Sequence, residues 1–145
     1  MPSLAPPNGA CAIGQPRVIL IDDEADLLVV LAEELTDAGF DVTAAASGRD
    51  ALLAAARMKF DVAITDLKMP EMDGLQTAAE LKKIDPDLPI VMVTGYAPDA
   101  LMLASSTRQI LHGLLVKPFV MDQVLEVLDR IVQPRGSPDR PRHGP

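Results

Sequence analysis

Four separate apolar runs of the sequence each end in polar side chains that could take part in chemistry. These side chains are Asp22 with Asp23, Asp66, Thr94 and Lys117. In an open α/β sheet the carboxyl ends of parallel strands meet at one edge, where ligands bind, so we expect the five residues to lie close together. Carboxylates gathered in one place repel each other unless a cation lies among them. The pattern therefore indicates a divalent metal beside one reactive aspartate.

Each of these residue types suits phosphoryl transfer. The Asp66 carboxylate could attack phosphorus and form an aspartyl phosphate. Asp22 and Asp23 offer the oxygen ligands that Mg2+ prefers, one directly and one through water. Thr94 could donate to a phosphoryl oxygen, and Lys117 supplies a point positive charge. Taken singly, these residues have plainer explanations, such as a helix cap at Asp23 or a salt bridge between Lys117 and Asp66.

Apolar runs that alternate with amphipathic segments predict the elements that position these residues. We expect strands at 17–22, 41–46, 61–66, 90–94 and 114–116, and helices at 24–38, 48–58, 74–84, 98–109 and 121–132. Asp23 and Ser47 are the expected caps of the first two helices, and Gly39 is the expected end of the first. The almost wholly apolar strands are typical of parallel strands covered on both faces. Five βα units with right-handed crossovers predict an α/β fold with a doubly wound parallel sheet.

Composition predicts one folded domain at residues 16–133, between disordered tails at 1–15 and 134–145. The chain has 145 residues and is 48% hydrophobic, which is enough for one core, whereas both tails are rich in proline and glycine. A net charge of −8 and only 3% aromatic residues argue against direct binding of nucleic acid.

Several absences in the sequence predict a cytoplasmic location. The single cysteine, Cys11, cannot form an internal disulfide. No stretch reaches the ~20 apolar residues that a membrane-spanning helix needs. The first residues also lack the basic and apolar regions of a signal peptide. We therefore expect no contact with a membrane.

Four stretches of the chain resemble the receiver domain of bacterial two-component response regulators. They are VILIDDE at 18–24, DLKMP at 66–70 with DG at 73–74, VTG at 93–95 and VKPF at 116–119. The resemblance covers residues 16–133. It implies a flavodoxin-like, CheY-like (β/α)5 fold whose five strands have the order 2-1-3-4-5.

The resemblance also implies a role for each candidate residue. Asp66 would be the phospho-acceptor, and Thr94 and Lys117 would contact the phosphoryl group. The Mg2+ ligands would be Asp22, Asp23, Asp66 and the backbone carbonyl of Lys68. Such a domain transfers phosphate only to its own aspartate and is not otherwise an enzyme.

The partners that the resemblance implies are proteins. A sensor histidine kinase or a phosphotransfer protein would donate the phosphoryl group. Only about a dozen residues follow the last predicted helix, so we expect output by protein contact, or a relay that passes phosphate onward. An excised receiver of a longer chain is an open alternative. The output surface would be the distal face, defined as the predicted helix 98–109, the strand 114–116 and the helix 121–132, which could also form a homodimer.

Three features depart from the receiver pattern or tune it. Leu114 stands where receivers usually carry an aromatic residue, three positions before the lysine, and the segment 98–109 is unusually apolar at Leu101, Met102 and Leu103. These residues either pack on the sheet or alter the distal face.

Lys68 and Tyr96 lie two residues after Asp66 and Thr94, where bulk could slow the entry of water. We therefore predict a long-lived phosphoryl state.

Two other functions are alternatives to a phosphorylated receiver. The first is a pseudo-receiver that is never phosphorylated and acts only as an interaction module, which Leu114 slightly favours. The second is a hydrolase with an aspartyl intermediate. Such enzymes carry a general acid two residues after the nucleophile, where this chain has Lys68. The intact set of acids, hydroxyl and lysine favours the phosphorylated receiver.

Overall fold

The computed structural model describes residues 15–95 and 111–132, which form five strands and four helices. The strands are β1 (Arg17–Ile21), β2 (Asp41–Ala45), β3 (Val62–Asp66), β4 (Ile90–Thr94) and β5 (Leu111–Val116). The helices are α1 (Ala25–Asp37), α2 (Gly48–Ala55), α3 (Gly74–Ile84) and α4 (Met121–Ile131). The predicted helix at 98–109 and both predicted tails, except residue 15, lie outside the described residues.

All five strands pair in parallel in one sheet with the order β2-β1-β3-β4-β5. Alternate residues of each inner strand point to opposite faces of the sheet, and helices pack on both faces. Val18 and Leu20 of β1 belong to the core layer that contains the buried side of α1 and α4. Ile19 and Ile21 belong to the layer beneath α2 and α3. The predicted doubly wound fold and strand order are confirmed.

Most predicted boundaries agree with the structure to within a residue or two, but one predicted cap and two predicted ends differ from it. The predicted cap at Asp23 is wrong, because α1 has Glu24 as its N-cap residue and no side-chain capping bond. Ser47 does cap α2 by accepting from the backbone N–H of Asp50, at 3.1 Å. Helix α2 ends at Ala55, earlier than the predicted residue 58.

Strand β5 begins at Leu111, three residues before the predicted start. His112 and Gly113 interrupt the apolar run that marked the strand, but the backbone pairs with β4 through a register shift beside Ile90. The ring Nδ1 of His112 accepts from the backbone N–H of Ile90 at 3.4 Å. A Cβ at Gly113 would come within 2.8 Å of Val127 on α4. Glycine therefore lets α4 pack closely on β5, a tertiary requirement that hydrophobic periodicity does not reveal.

Candidate functional site

Three neighbouring strands bring the polar groups to one edge of the sheet. β1 and β3 are paired up to Ile21 and Thr65, so Asp22 and Asp66 follow side by side. β4 lies on the other side of β3 and ends at Thr94. Asp22, Asp66 and Thr94 are only 4%, 8% and 1% exposed. The strand ends therefore hold two carboxyl groups and a hydroxyl group in a largely desolvated place.

A cluster of three carboxylates lies at this edge. Asp22, Asp23 and Asp66 each offer an oxygen, and these oxygens lie within 4.8 Å of one another. Asp23 is exposed, whereas the other two residues are buried. The backbone N–H of Glu24 donates to Oδ1 of Asp22 at 2.9 Å, which fixes that carboxylate. Carboxylate oxygens are hard ligands that suit Mg2+, so the residues present fit a divalent cation.

Lys117 is the cation of the site, and it follows the last residue of β5. Its Nζ lies 3.4 Å from Oδ1 of Asp66, 3.7 Å from Oδ2 of Asp22 and 3.3 Å from Oε1 of Glu24. Its backbone N–H donates to the carbonyl oxygen of Thr94 at 2.8 Å. One ammonium group is thus shared by three carboxylates, two from the β1–α1 connection and one from the last residue of β3.

Burial and charge interactions shift the pKa values of these groups. Burial raises the pKa of Asp66 to about 6, with a further increase from the charge of Asp22 and an opposing effect of Lys117. Burial also raises the pKa of Asp22. For Lys117, burial lowers the pKa, but the nearby carboxylates outweigh it and the pKa is raised. The site is therefore costly to hold in its fully ionised form without an added cation.

The loop after Asp66 is fixed at both ends. The backbone N–H of Leu67 donates to the carbonyl of Val93 at 2.7 Å, and its own carbonyl accepts from Gly74 at 2.7 Å. A Cβ at Gly74 would overlap the carbonyl oxygen of Asp66 and come within 2.8 Å of Leu67 Cα. Asp73 caps α3 in a reciprocal capping box with Gln76. Lys68 is held in this closed loop, two residues after Asp66, with an exposed side chain.

The structure brings together the residues singled out from the sequence. Asp22, Asp23, Asp66 and Lys117 share one cluster of short distances, and Thr94 lies at the same edge. Glu24 belongs to the sequence motif at 18–24, but the sequence does not predict its contact with Lys117. Its position directly after the acid pair was the available signal, but a partner 93 residues away cannot be identified from spacing.

The part of the distal face that the structure describes is partly apolar and exposed. Leu114 and Val116 on β5 are 40% and 37% exposed, and Val120, the N-cap residue of α4, is 62% exposed. Leu101, Met102 and Leu103, the apolar residues predicted on the neighbouring helix, lie outside the described residues. In the part of the chain that the structure describes, no helix is long and apolar enough to cross a membrane.

The family pattern of the response regulator receiver domain matches residues 18–129. The transcriptional regulatory protein GlrR of Escherichia coli (strain K12) is 38% identical over 115 residues, which cover 78% of this chain and 25% of that protein. The chain thus spans about a quarter of the length of that relative. The chemotaxis protein CheY of Thermotoga maritima is 32% identical over 116 residues, which cover 79% of this chain and 96% of that protein.

A solved structure with the same fold is that of the response regulator protein TrrA from Thermotoga maritima in complex with Mg2+–BeF. It has a TM-score of 0.74 and 28% identity, and the match covers 81% of this chain and 100% of that chain. The Vibrio cholerae chemotaxis protein CheY4 matches with a TM-score of 0.71 and 30% identity over 81% of this chain and 99% of that chain. The sheet order, the family match and these relatives together identify the chain as a member of the response regulator receiver domain family of two-component systems.

Proposed function

We propose that this receiver domain is a Mg2+-dependent phosphorylation switch that accepts a phosphoryl group on Asp66. The observation that supports it best is the convergence of three carboxylates within 4.8 Å of one another, with the Lys117 ammonium 3.4 Å from Asp66. Phosphoryl transfer depends chiefly on positioning and on neutralisation of charge. A metal site and a fixed lysine beside one aspartate supply both.

Asp66 is the nucleophile in this proposal. With a pKa raised to about 6, its carboxyl group is mostly ionised at pH 7. One Asp66 oxygen attacks the phosphorus of a phosphohistidine, so that an O–P bond forms while the P–N bond breaks. The histidine nitrogen keeps the bonding electron pair and takes up a proton. The product is an aspartyl phosphate, a covalent form known for carboxylate nucleophiles.

Asp22, Asp23 and Asp66 would hold the Mg2+ ion, together with the backbone carbonyl of Lys68. When bound, the ion offsets the carboxylate repulsion and the charge of the transferring phosphoryl group. The same acids cannot all remain ionised at low cost without it, as the raised pKa values of Asp22 and Asp66 indicate. The ion and the ionised carboxylates would thus stabilise each other, which is the physical basis for the proposed Mg2+ requirement.

Thr94 and Lys117 would carry the change of charge to the rest of the domain. A phosphoryl group adds a charge near −2 and new acceptor oxygens. The ammonium group of Lys117 and the hydroxyl group of Thr94 would turn towards these oxygens. Because the two residues share a 2.8 Å backbone hydrogen bond, movement of one is transmitted to the other and to β5.

The proposed partners follow from the switch. A sensor histidine kinase or a phosphotransfer protein donates the phosphoryl group, and an output protein reads the distal face by direct contact. Exposed Leu114, Val116 and Val120 supply apolar area for such a contact or for a homodimer. Leu114 can move between packed positions but has no aromatic ring to swing inward. We propose a cytoplasmic location and no direct contact with nucleic acid.

The groups at the sheet edge argue against the two other functions, although Leu114 slightly favours a pseudo-receiver. A pseudo-receiver has no need for three clustered carboxylates or for a lysine held among them. A hydrolase with an aspartyl intermediate would need an acid where the chain has Lys68. The phosphorylated receiver gives a role to the aspartates, to Thr94 and to Lys117.

Exposure of the chain to acetyl phosphate and Mg2+, followed by intact mass spectrometry, tests the proposal. We expect a mass gain of one phosphoryl group, which is absent in Asp66→Asn and absent when EDTA removes Mg2+. Asp87→Asn changes an exposed aspartate that is not part of the carboxylate cluster and should retain the mass gain. A mass gain that persists in Asp66→Asn, or no gain in the unaltered chain, would contradict the proposal.

A further inference from the structure

Lys117 makes one contact that the proposed switch does not use, and that contact is with Glu24. Oε1 of Glu24 lies 3.3 Å from Nζ of Lys117, within a hydrogen bond. The distance is as short as the 3.4 Å between Lys117 and Asp66. Glu24 therefore shares the ammonium group with the phospho-acceptor.

The two carboxylates that share Lys117 differ in their exposure to solvent. The Glu24 side chain is 65% exposed, whereas that of Asp66 is 10% exposed. Glu24 is also not part of the set of oxygens that lie within 4.8 Å of one another. It thus faces Lys117 at the mouth of the site and does not join the metal-binding cluster.

We propose, on the basis of the function proposed above, that Glu24 is a positioning residue that holds Lys117 at the mouth of the site and slows phosphorylation by free anionic donors. The ammonium group has a single charge to share among Asp22, Glu24 and Asp66. While it is paired with Glu24, less of that charge faces the phosphoryl group that reaches Asp66. Phosphoryl transfer depends on such positioned charge, so the contact between Glu24 and Lys117 lowers the rate of phosphorylation.

The backbone keeps Glu24 in reach of Lys117. Glu24 is the N-cap residue of α1, and its backbone N–H is fixed by Oδ1 of Asp22 at 2.9 Å. Its side chain makes no capping bond, so it is not required to begin the helix. Replacement of the side chain should therefore leave α1 intact. Exposed ion pairs contribute up to about 1 kcal/mol, which corresponds to a rate effect of about two- to fivefold.

The test measures initial rates of phosphorylation by acetyl phosphate with Mg2+ in three variants. Glu24→Gln removes the charge and the ion pair, and Glu24→Asp keeps the charge on a shorter side chain that no longer reaches Lys117. Asp26→Asn is the matched control, because it removes the same charge from an exposed residue in the first turn of the same helix. Thermal unfolding of each variant shows that the fold is retained.

We expect both Glu24 variants to be phosphorylated about two- to fivefold faster than the unaltered chain, and Asp26→Asn to be unchanged. Equal acceleration in Asp26→Asn, or acceleration in Glu24→Gln alone, would overturn the inference, because simple repulsion of the donor would then explain the result. Unchanged or slower rates in the Glu24 variants would overturn it while the proposed function stands. No phosphorylation of the unaltered chain would overturn both.

Discussion

The backbone N–H of Lys117 donates to the carbonyl oxygen of Thr94 at 2.8 Å, across the ends of two paired strands. The residues that carry the proposed switch hydroxyl and the proposed charge partner are thus joined directly through their backbones. Thr94 is 1% exposed, so it can move only if its neighbours move as well. A phosphoryl group that attracts either side chain should therefore shift both residues and the end of β5.

The first prediction concerns the hydroxyl group of Thr94. Thr94→Ala removes a donor to the phosphoryl group but leaves the backbone bond to Lys117 in place. A hydrogen bond to a charged group contributes about 1.5–3 kcal/mol, so phosphorylation by acetyl phosphate should slow by about tenfold or more. Shifts of the β5 amide resonances on phosphorylation should also become smaller. Thr94→Ser retains the hydroxyl and serves as the control, and equal behaviour of the two variants would argue against a role for the hydroxyl.

The second prediction is a fall in stability as pH rises without Mg2+. The pKa of Asp66 is raised from 3.8 to about 6, so the folded chain binds its proton more tightly than the unfolded chain does. The tighter binding of this proton adds to the free energy of unfolding. That added stability is complete below the unfolded pKa and is lost as pH rises through about 4 to 6. The loss amounts to about 3 kcal/mol at most, at 1.36 kcal/mol for each pKa unit. Urea unfolding at pH 4.5 and 7 in EDTA measures it.

Asp66→Asn is the decisive comparison for that pH dependence. The amide does not titrate, so the variant should be more stable than the unaltered chain at pH 7 in EDTA and should lose less stability between pH 4.5 and 7. Asp87→Asn, at an exposed position, should behave as the unaltered chain does. An identical pH profile in the unaltered chain and Asp66→Asn would refute the role of Asp66 burial.

The third prediction is that Mg2+ stabilises the folded chain through the carboxylate cluster. A ligand that binds only the folded state at about ten times its Kd adds about 1.4 kcal/mol to the free energy of unfolding. Thermal unfolding in increasing Mg2+ should therefore show a rising Tm. Asp23→Asn should abolish most of the increase, whereas Asp26→Asn, three residues further along, should retain it. Equal increases in both variants would place the ion elsewhere.

The fourth prediction concerns the lifetime of the phosphorylated state. Lys68 has an exposed side chain two residues after Asp66, and Tyr96, outside the described residues, follows Thr94 by two. If the long cation obstructs attacking water, Lys68→Ala should lose its phosphoryl group about two- to tenfold faster, a change of about 0.4–1.4 kcal/mol in the barrier. Decay of the phosphorylated mass after removal of donor gives the rate. Loss from the unaltered chain within seconds would show that the obstruction is ineffective.

The pattern of hydrophobic residues in the sequence is enough to predict most of the fold. The nearly continuous apolar runs of β1, β3 and β4 identify strands buried on both faces, and the positions of Asp22, Asp66 and Thr94 follow from where those runs end. Periodicity was less informative where burial is incomplete. β5 is an edge strand with His112 and Gly113 in its first half, so its start at Leu111 depends on pairing with β4 and on close packing by α4.

The residue types of the site were readable from the sequence, but their partnerships were decided by tertiary structure. The sequence by itself determined that acids, a hydroxyl and a lysine end separate strands, because strand ends are a local property of the chain. Only the folded structure decided that Glu24, and not only the aspartates, pairs with Lys117. It also decided that burial raises the pKa of Asp66 to about 6. Contacts between residues distant in sequence and the loss of solvent around a charge arise only when the strands assemble.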